Sequence, residues 1–163
     1  MRHAEGYGGT VAHFFLEQFL GFRLREQLEL TTKRFFEATE RFINEEITEP
    51  EKKAQYQVAL LAELNGTRDK VSVRAFANNN FAVKDRQPFM ELIEEVQLPK
   101  TSFAKDIHLV RSHLRRIQMA FDSGVSVLAS PENIGEQVTI TDLPNGQTRV
   151  EVTDRLRRMT GRS

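Results

Sequence analysis

The hydrophobic period of the chain changes near residue 103, and that change limits the fold more than anything else in the sequence. Before it, Leu24, Leu28, Thr31, Phe35, Ala38 and Phe42 recur four and three residues apart. This is a one-sided stripe along a helix of about twenty residues, or roughly 30 Å. After it, Ile117, Met119 and Phe121 alternate with Arg116, Gln118 and Ala120, the two-residue period of a half-buried strand. A chain that switches once from a helical to a strand period is expected to be α+β. The expected architecture is a helical N-terminal part of about four helices, then an antiparallel four-stranded meander and a basic C-terminal tail. Pro99 marks the expected hinge, dividing a helical subdomain, residues 1–99, from a β subdomain, residues 100–163.

Local signals place the elements. Residues 1–9, ending Gly6-Tyr7-Gly8-Gly9, read as a flexible lead-in, and Thr10 can cap a first helix carrying Val11, Phe14, Phe15 and Leu20. Gly21 is read as its end. In the second helix Phe36 and Ile43 widen the stripe, which predicts packing against more than one neighbour instead of a two-stranded coiled coil. Thr48-Glu49-Pro50-Glu51 combines a capping hydroxyl, a proline suited to N1 and a glutamate three residues on. It predicts a third helix bearing Tyr56, Leu60, Leu61 and Leu64, closed at Asn65-Gly66 by a left-handed glycine.

Residues 70–76 fit either a short strand or a brief helical turn running into Asn78-Asn79-Asn80. Phe89, Leu92, Ile93 and Val96 follow the helix template, with Asp85 as a cap and Pro99 as a stop. Asp122-Ser123-Gly124 joins the first strand to one carrying Val125 and Val127. Pro144-Asn145-Gly146 joins a strand carrying Val138 and Ile140 to one carrying Val150 and Val152. The segment from Arg155 to Met159 could add one helical turn.

Composition removes several function classes. The chain of 163 residues has no cysteine, so thiolate catalysis, cysteine-based metal clusters and disulfides are excluded. A reducing cytoplasm is the natural compartment. The apolar runs are too short for a membrane span. Lys plus Arg and Asp plus Glu both number 23, so the molecule as a whole generates no strong attraction for a polyanion.

Candidate chemistry is sparse. His3, His13, His108 and His113 contain no i, i+4 pair of metal-ligating spacing, so no metal site is expected, and Asp106, His108 and His113 form only a weak nuclease candidate. No serine lies in a nucleophile elbow. The adjacent pairs Glu45-Glu46 and Glu94-Glu95 diverge by about 100° on a helix and read as solvated faces. Gly6 to Thr10 precedes a predicted helix but lacks a phosphate-loop lysine. No catalytic residue and no cofactor is therefore assigned. Most phenylalanines, including Phe14, Phe35, Phe42 and Phe89, read as core, leaving Phe76 and Phe81 as candidates for exposed rings beside the asparagine run.

Basic clustering is the signal that survives. Residues 103–163 hold nine Lys or Arg against seven acids, whereas residues 1–102 hold fourteen against sixteen. The excess sharpens in residues 155–163, with four arginines and no acid. Arg111, Arg115, Arg116, Arg149, Arg155, Arg157, Arg158 and Arg162 are the candidate phosphate-binding residues, because the arginine fork matches phosphate geometry. Four to six such contacts predict a log–log salt slope of roughly −4 to −5.

Several landmarks resemble the C-terminal half of the bacterial nucleoid-associated protein family of the NdpA/YejK type. They run from Phe14-Phe15-Leu16-Glu17-Gln18-Phe19-Leu20-Gly21, through Phe103-Ala104-Lys105-Asp106 and the strand from Leu114 to Phe121 with its Ser123-Gly124 turn. They finish at Asp154-Arg155-Leu156-Arg157-Arg158-Met159-Thr160. The resemblance implies a non-enzymatic DNA-binding protein of the cytoplasmic nucleoid, contacting duplex phosphates with little sequence preference. It also implies a chain about half the family's length, lacking the N-terminal half. The rival expectation is a protein-interaction or homodimerisation module built on Phe35, Phe36, Phe42 and Ile43.

Overall fold

The two helices that Gly21 separates in the sequence are one. The computed structural model describes residues 2–162, with side chains described from Val11 onward, and its first element, α1, runs unbroken over Arg2–Glu46. The expected lead-in, its cap at Thr10 and the break at Gly21 are all corrected: residues 2–10 and Gly21 lie inside the helix, and Met1 lies outside the described residues. An interior glycine costs only about 1 kcal/mol, too little to end a helix supported by good formers on both sides. With the first glycines inside α1, the anion-cradle reading of Gly6 to Thr10 loses the helix N-terminus it required.

The chain continues through α2 (Pro50–Asn65), β1 (Lys70–Ser72), α3 (Val73–Asn80), α4 (Val83–Glu95) and β2 (Ser102–Ala104). The segment left open between strand and helix is both, β1 passing directly into α3. β1 and β2 pair antiparallel, Val71 opposite Phe103. The C-terminal half of α1 packs on α2, α4 and β2, the multiple neighbours its wide stripe predicts.

An aromatic cluster holds these elements together. Phe81 stacks on Tyr56 at 4.2 Å between ring centroids and meets Phe89 edge-on at 4.9 Å. Phe76 meets Phe35 edge-on at 5.6 Å. Phe76 and Phe81 are therefore buried core residues, which corrects their reading as exposed rings. The asparagine run ends α3 with Asn80 bonded back to the Phe76 carbonyl, and Phe81 turns inward immediately after it. Phe35, Phe36, Phe42 and Ile43 are buried in the same core, so they cannot form an interaction face. Phe14, expected in the core, is exposed.

Three cap assignments change. Pro50 occupies the first turn of α2 as expected, but the N-cap is Glu49 and no side-chain capping bond forms, so Thr48 closes no capping box. Gly66 has φ −64°, not a left-handed angle. The Lys105 ammonium replaces that cap, donating to the Glu63 and Gly66 carbonyls at 3.2 and 2.7 Å and so satisfying the end of α2. Asp85 lies inside the first turn of α4, whose N-cap is Ala82. Its carboxylate instead accepts from the Tyr56 hydroxyl at 2.6 Å and pairs with Lys52 at 2.8 Å, pinning α4 to α2. Pro99 lies beyond the end of α4, which Gln97 closes with φ 59°.

After β2 the chain forms two separate hairpins. β3 (Ile117–Ala120) pairs with β4 (Ser126–Ala129), and β5 (Val138–Asp142) with β6 (Thr148–Val152). Both are antiparallel and close at the expected turns, where Gly124 and Gly146 take φ of 92° and 81°. The four-stranded meander is corrected to these two-stranded units. Between Ala129 and Val138 a 3-10 turn over Pro131–Asn133 and Gly135, at φ 89°, redirect the chain, so β4 and β5 do not align. Val110, Leu114 and Ile117 enter the same hydrophobic core as the helices. The last interstrand tie is the Thr153 amide to the Gln137 carbonyl at 2.9 Å. Residues 155–162 are exposed and without regular structure, which corrects the expected helical turn.

Candidate nucleic-acid interface

The link between β2 and β3 shows how three arginines come to face solvent. Val110, Leu114 and Ile117 are buried at spacings of four and three, and a 3-10 turn over Arg111–His113 lies between the first two anchors. The remaining positions are forced outward, so Arg111, Arg115 and Arg116 are all exposed. Their backbone is firmly held. The Asn65 amide donates to the Leu114 carbonyl at 2.9 Å, and the His113 amide bonds to the Val110 carbonyl at 2.8 Å. The His113 ring packs 6.0 Å from that of Phe36, tying the turn to α1.

Charge marks this link, although the equally long run Lys70–Lys84 is also free of acids. From Ile107 to Phe121 there is no acidic residue, while the stretch holds three arginines and two histidines. Among the described residues no carboxylate lies within 4.0 Å of Arg111, Arg115 or Arg116. Counting charges by segments of the molecule dilutes this local absence of acids, and a scan for acid-free windows finds it together with Lys70–Lys84.

A cleft of about 770 Å³ opens beside the arginines, between α1 and α2 on one side and the two hairpins on the other. Arg115 and Arg116 line it with His113 and Lys53, over apolar side chains that include Ile117, Met119 and Ile140. Glu40, the acid on its wall, is held by the Gln57 amide at 3.2 Å. Burial raises the Glu40 carboxyl above its ordinary range, against the opposing effects of Gln57 and His113.

The other candidate arginines do not share this setting. Thr148 and Val150 line the cleft, so Arg149, between them on β6, projects from the opposite face of its strand. It lies 3.9 Å from Glu151. Arg155, Arg157, Arg158 and Arg162 lie on the exposed segment after β6. The structure thus brings Arg115 and Arg116 to one cleft edge with Arg111 one turn before them.

The nuclease candidate disperses. The Asp106 carboxylate accepts from the His108 amide at 3.0 Å, the Asp106 amide donates to Thr32 at 2.9 Å, and His113 faces Ser112 and Phe36. Among the described residues no three His, Asp or Glu side chains form a group that could hold a metal ion. Glu45 pairs with Arg41 and Glu94 with Lys100 on exposed helix surface. No helix among the described residues is long and apolar enough to cross a membrane.

Comparison with curated proteins and with solved structures finds no match. The family model described as nucleoid-associated protein YejK matches residues 3–150. The match spans the chain from α1 into β6 and includes Arg111, Arg115, Arg116 and Arg149, while the four tail arginines lie beyond it. The chain belongs to the nucleoid-associated protein YejK family.

Proposed function

We propose that this nucleoid-associated chain binds duplex DNA without catalysing a reaction on it, through phosphate contacts that carry little sequence information. The observation that supports the reading most directly is the acid-free link of residues 107–121, which holds Arg111, Arg115 and Arg116 outward on a turn anchored in the core. An arginine on a fixed backbone loses less conformational freedom on meeting a phosphate than one on a loose segment. Arg149 and the tail arginines Arg155, Arg157, Arg158 and Arg162 extend the interface as auxiliary contacts. Residues 1–99 supply the helical scaffold and residues 100–163 the DNA-facing part.

The narrow extent of the basic surface fits a chain of zero net charge. Attraction begins only near the link, so binding is modest and strongly salt-dependent. Phosphate contacts fix position without reading bases. The test is a salt titration of affinity for two duplexes of equal length and unrelated sequence. The reading requires parallel log–log lines with a slope between about −3 and −7, for three to eight phosphate contacts. A slope near zero, or one duplex preferred by orders of magnitude, overturns it.

A further inference from the structure

The cleft between the helices and the hairpins runs along an unpaired strand edge. Every residue from Arg115 to Phe121 lines it. Side chains alternate between the two faces of a strand, so a cleft over one face of β3 would meet only every second residue. Lining by consecutive residues places the edge of β3 in the cleft. The pairing with β4 identifies the groups at that edge. The Phe121 amide bonds to the Val125 carbonyl at 2.9 Å. In the same register Met119 lies opposite Val127 and Ile117 opposite Ala129, and these alternate pairs carry the ladder bonds. The N–H and C=O groups of Gln118 and Ala120 therefore point away from β4. Among the described residues they meet no main-chain partner, since β3 pairs with β4 alone.

We propose that this edge is a docking site for a short, extended peptide of a partner protein in which acidic and apolar residues alternate. Gln118 and Ala120 each offer the added strand one donor and one acceptor. A nucleic-acid strand has no repeating amides with which to continue a β-ladder. Apolar side chains are required on the inward side of the peptide, where Ile117, Met119 and Phe121 face the core beside Ile140 and Val150. Acids are required on the other side, because Arg116 continues the outward face of Gln118 and Ala120. The charge of the cleft agrees. Lys53, Arg115 and Arg116 line it against the single carboxyl of Glu40, which Gln57 already holds. The volume of about 770 Å³ lies in the range of ligand clefts, about 300–1,000 Å³, and limits the occupant to a short segment.

The experiment is fluorescence anisotropy of a labelled hexapeptide alternating glutamate and valine, titrated with the full chain. No DNA is present, so the outcome is independent of the proposed DNA binding. Saturable binding with a dissociation constant below about 1 mM is expected, and a peptide with lysine in place of glutamate is expected to bind about tenfold more weakly or not at all. Methylating one central backbone amide distinguishes edge pairing from simple charge attraction. The methyl is expected to abolish binding at a glutamate and be tolerated at the neighbouring valine if the strands are antiparallel, and the reverse if they are parallel. Ala120→Pro removes an edge N–H that the hairpin does not use. It is expected to weaken the glutamate peptide about tenfold, with thermal unfolding reporting that the variant is folded. Absence of binding overturns the proposal, as does equal binding of the lysine peptide. So does an equal response to the two methylated peptides, whatever Ala120→Pro does to the fold. Self-association of the chain that Ala120→Pro abolishes would assign the edge to a second copy and overturn it too.

Discussion

Replacing Arg111, Arg115 and Arg116 together with alanine isolates the contribution of the acid-free link. The three side chains are exposed and form no ion pair with a described residue, while their neighbours Val110, Leu114 and Ile117 hold the backbone. The substitution should therefore leave the unfolding temperature within about 5 °C of the wild type, as each surface change costs at most about 0.5 kcal/mol. Its effect on DNA binding follows from counterion release. Each lost phosphate contact lowers the magnitude of the salt slope by about 0.9, so the triple variant loses about 2.7. Near 0.15 M salt the same three contacts account for about a hundredfold in affinity. Fluorescence anisotropy on a labelled duplex, at five salt concentrations between 50 and 300 mM, measures both quantities. Arg68→Ala, an exposed arginine outside the link, should change the slope by no more than one contact. A triple variant whose slope matches the wild type, or whose loss is no greater than that of Arg68→Ala, refutes the assignment.

Four further outcomes test the rest of the account. Removing residues 154–163 deletes four arginines that touch no core element. It should lower the slope by at most about 3.6, with chemical denaturation unchanged. Tyr56→Phe leaves the Ala82 amide without its 2.8 Å acceptor and Asp85 without one donor, and should cost about 1–2 kcal/mol by urea unfolding. The same site sets an acid limit. Burial acts to raise the Asp85 carboxyl, but Lys52 and Tyr56 outweigh it and hold it below the ordinary 3.8. Its contribution is thus present above that value and lost as pH falls through the lower folded value, so Asp85→Asn should flatten the loss of stability measured below about pH 4. Phe81→Ala removes the ring shared by Tyr56, Phe42, Phe76 and Phe89 and should cost about 3–5 kcal/mol.

Much of the fold was legible because local chemistry and global packing agree. Both hairpins were visible from period-two alternation and from Gly124 and Gly146, whose left-handed angles the turns require. α2 was visible from Pro50 and its leucines. The failures occur where a distant residue supplies what a local rule expected nearby. Gly66 needs no left-handed angle because Lys105, thirty-nine residues on, caps α2. Asp85 looked like a cap and is instead the acceptor for Tyr56 and Lys52. The meander failed because alternation specifies a strand but not its partner. Gly21 and Phe14 misled for a related reason: a helical period does not show where along a helix its packing neighbours begin, and α1 has no buried residue between Val11 and Thr31, so one continuous helix reads as two with separate cores.

The candidate residues were legible as residue types and less so as a group. All eight candidate arginines are exposed, but charge counting drew attention to the tail, which lies beyond the family match. Burial of Val110, Leu114 and Ile117 is what distinguishes Arg111, Arg115 and Arg116 from other surface arginines, and it is a property of the folded chain.

The central claim is that DNA meets the link between β2 and β3, and an NMR titration of the labelled chain with a short duplex tests it most directly. The account predicts that the amide and arginine side-chain shifts moving first belong to residues 111–116, followed by Arg149 and residues 155–162. Shift changes confined to α3 and α4, around Arg74 and Arg86, with the link unmoved at saturation, would contradict it.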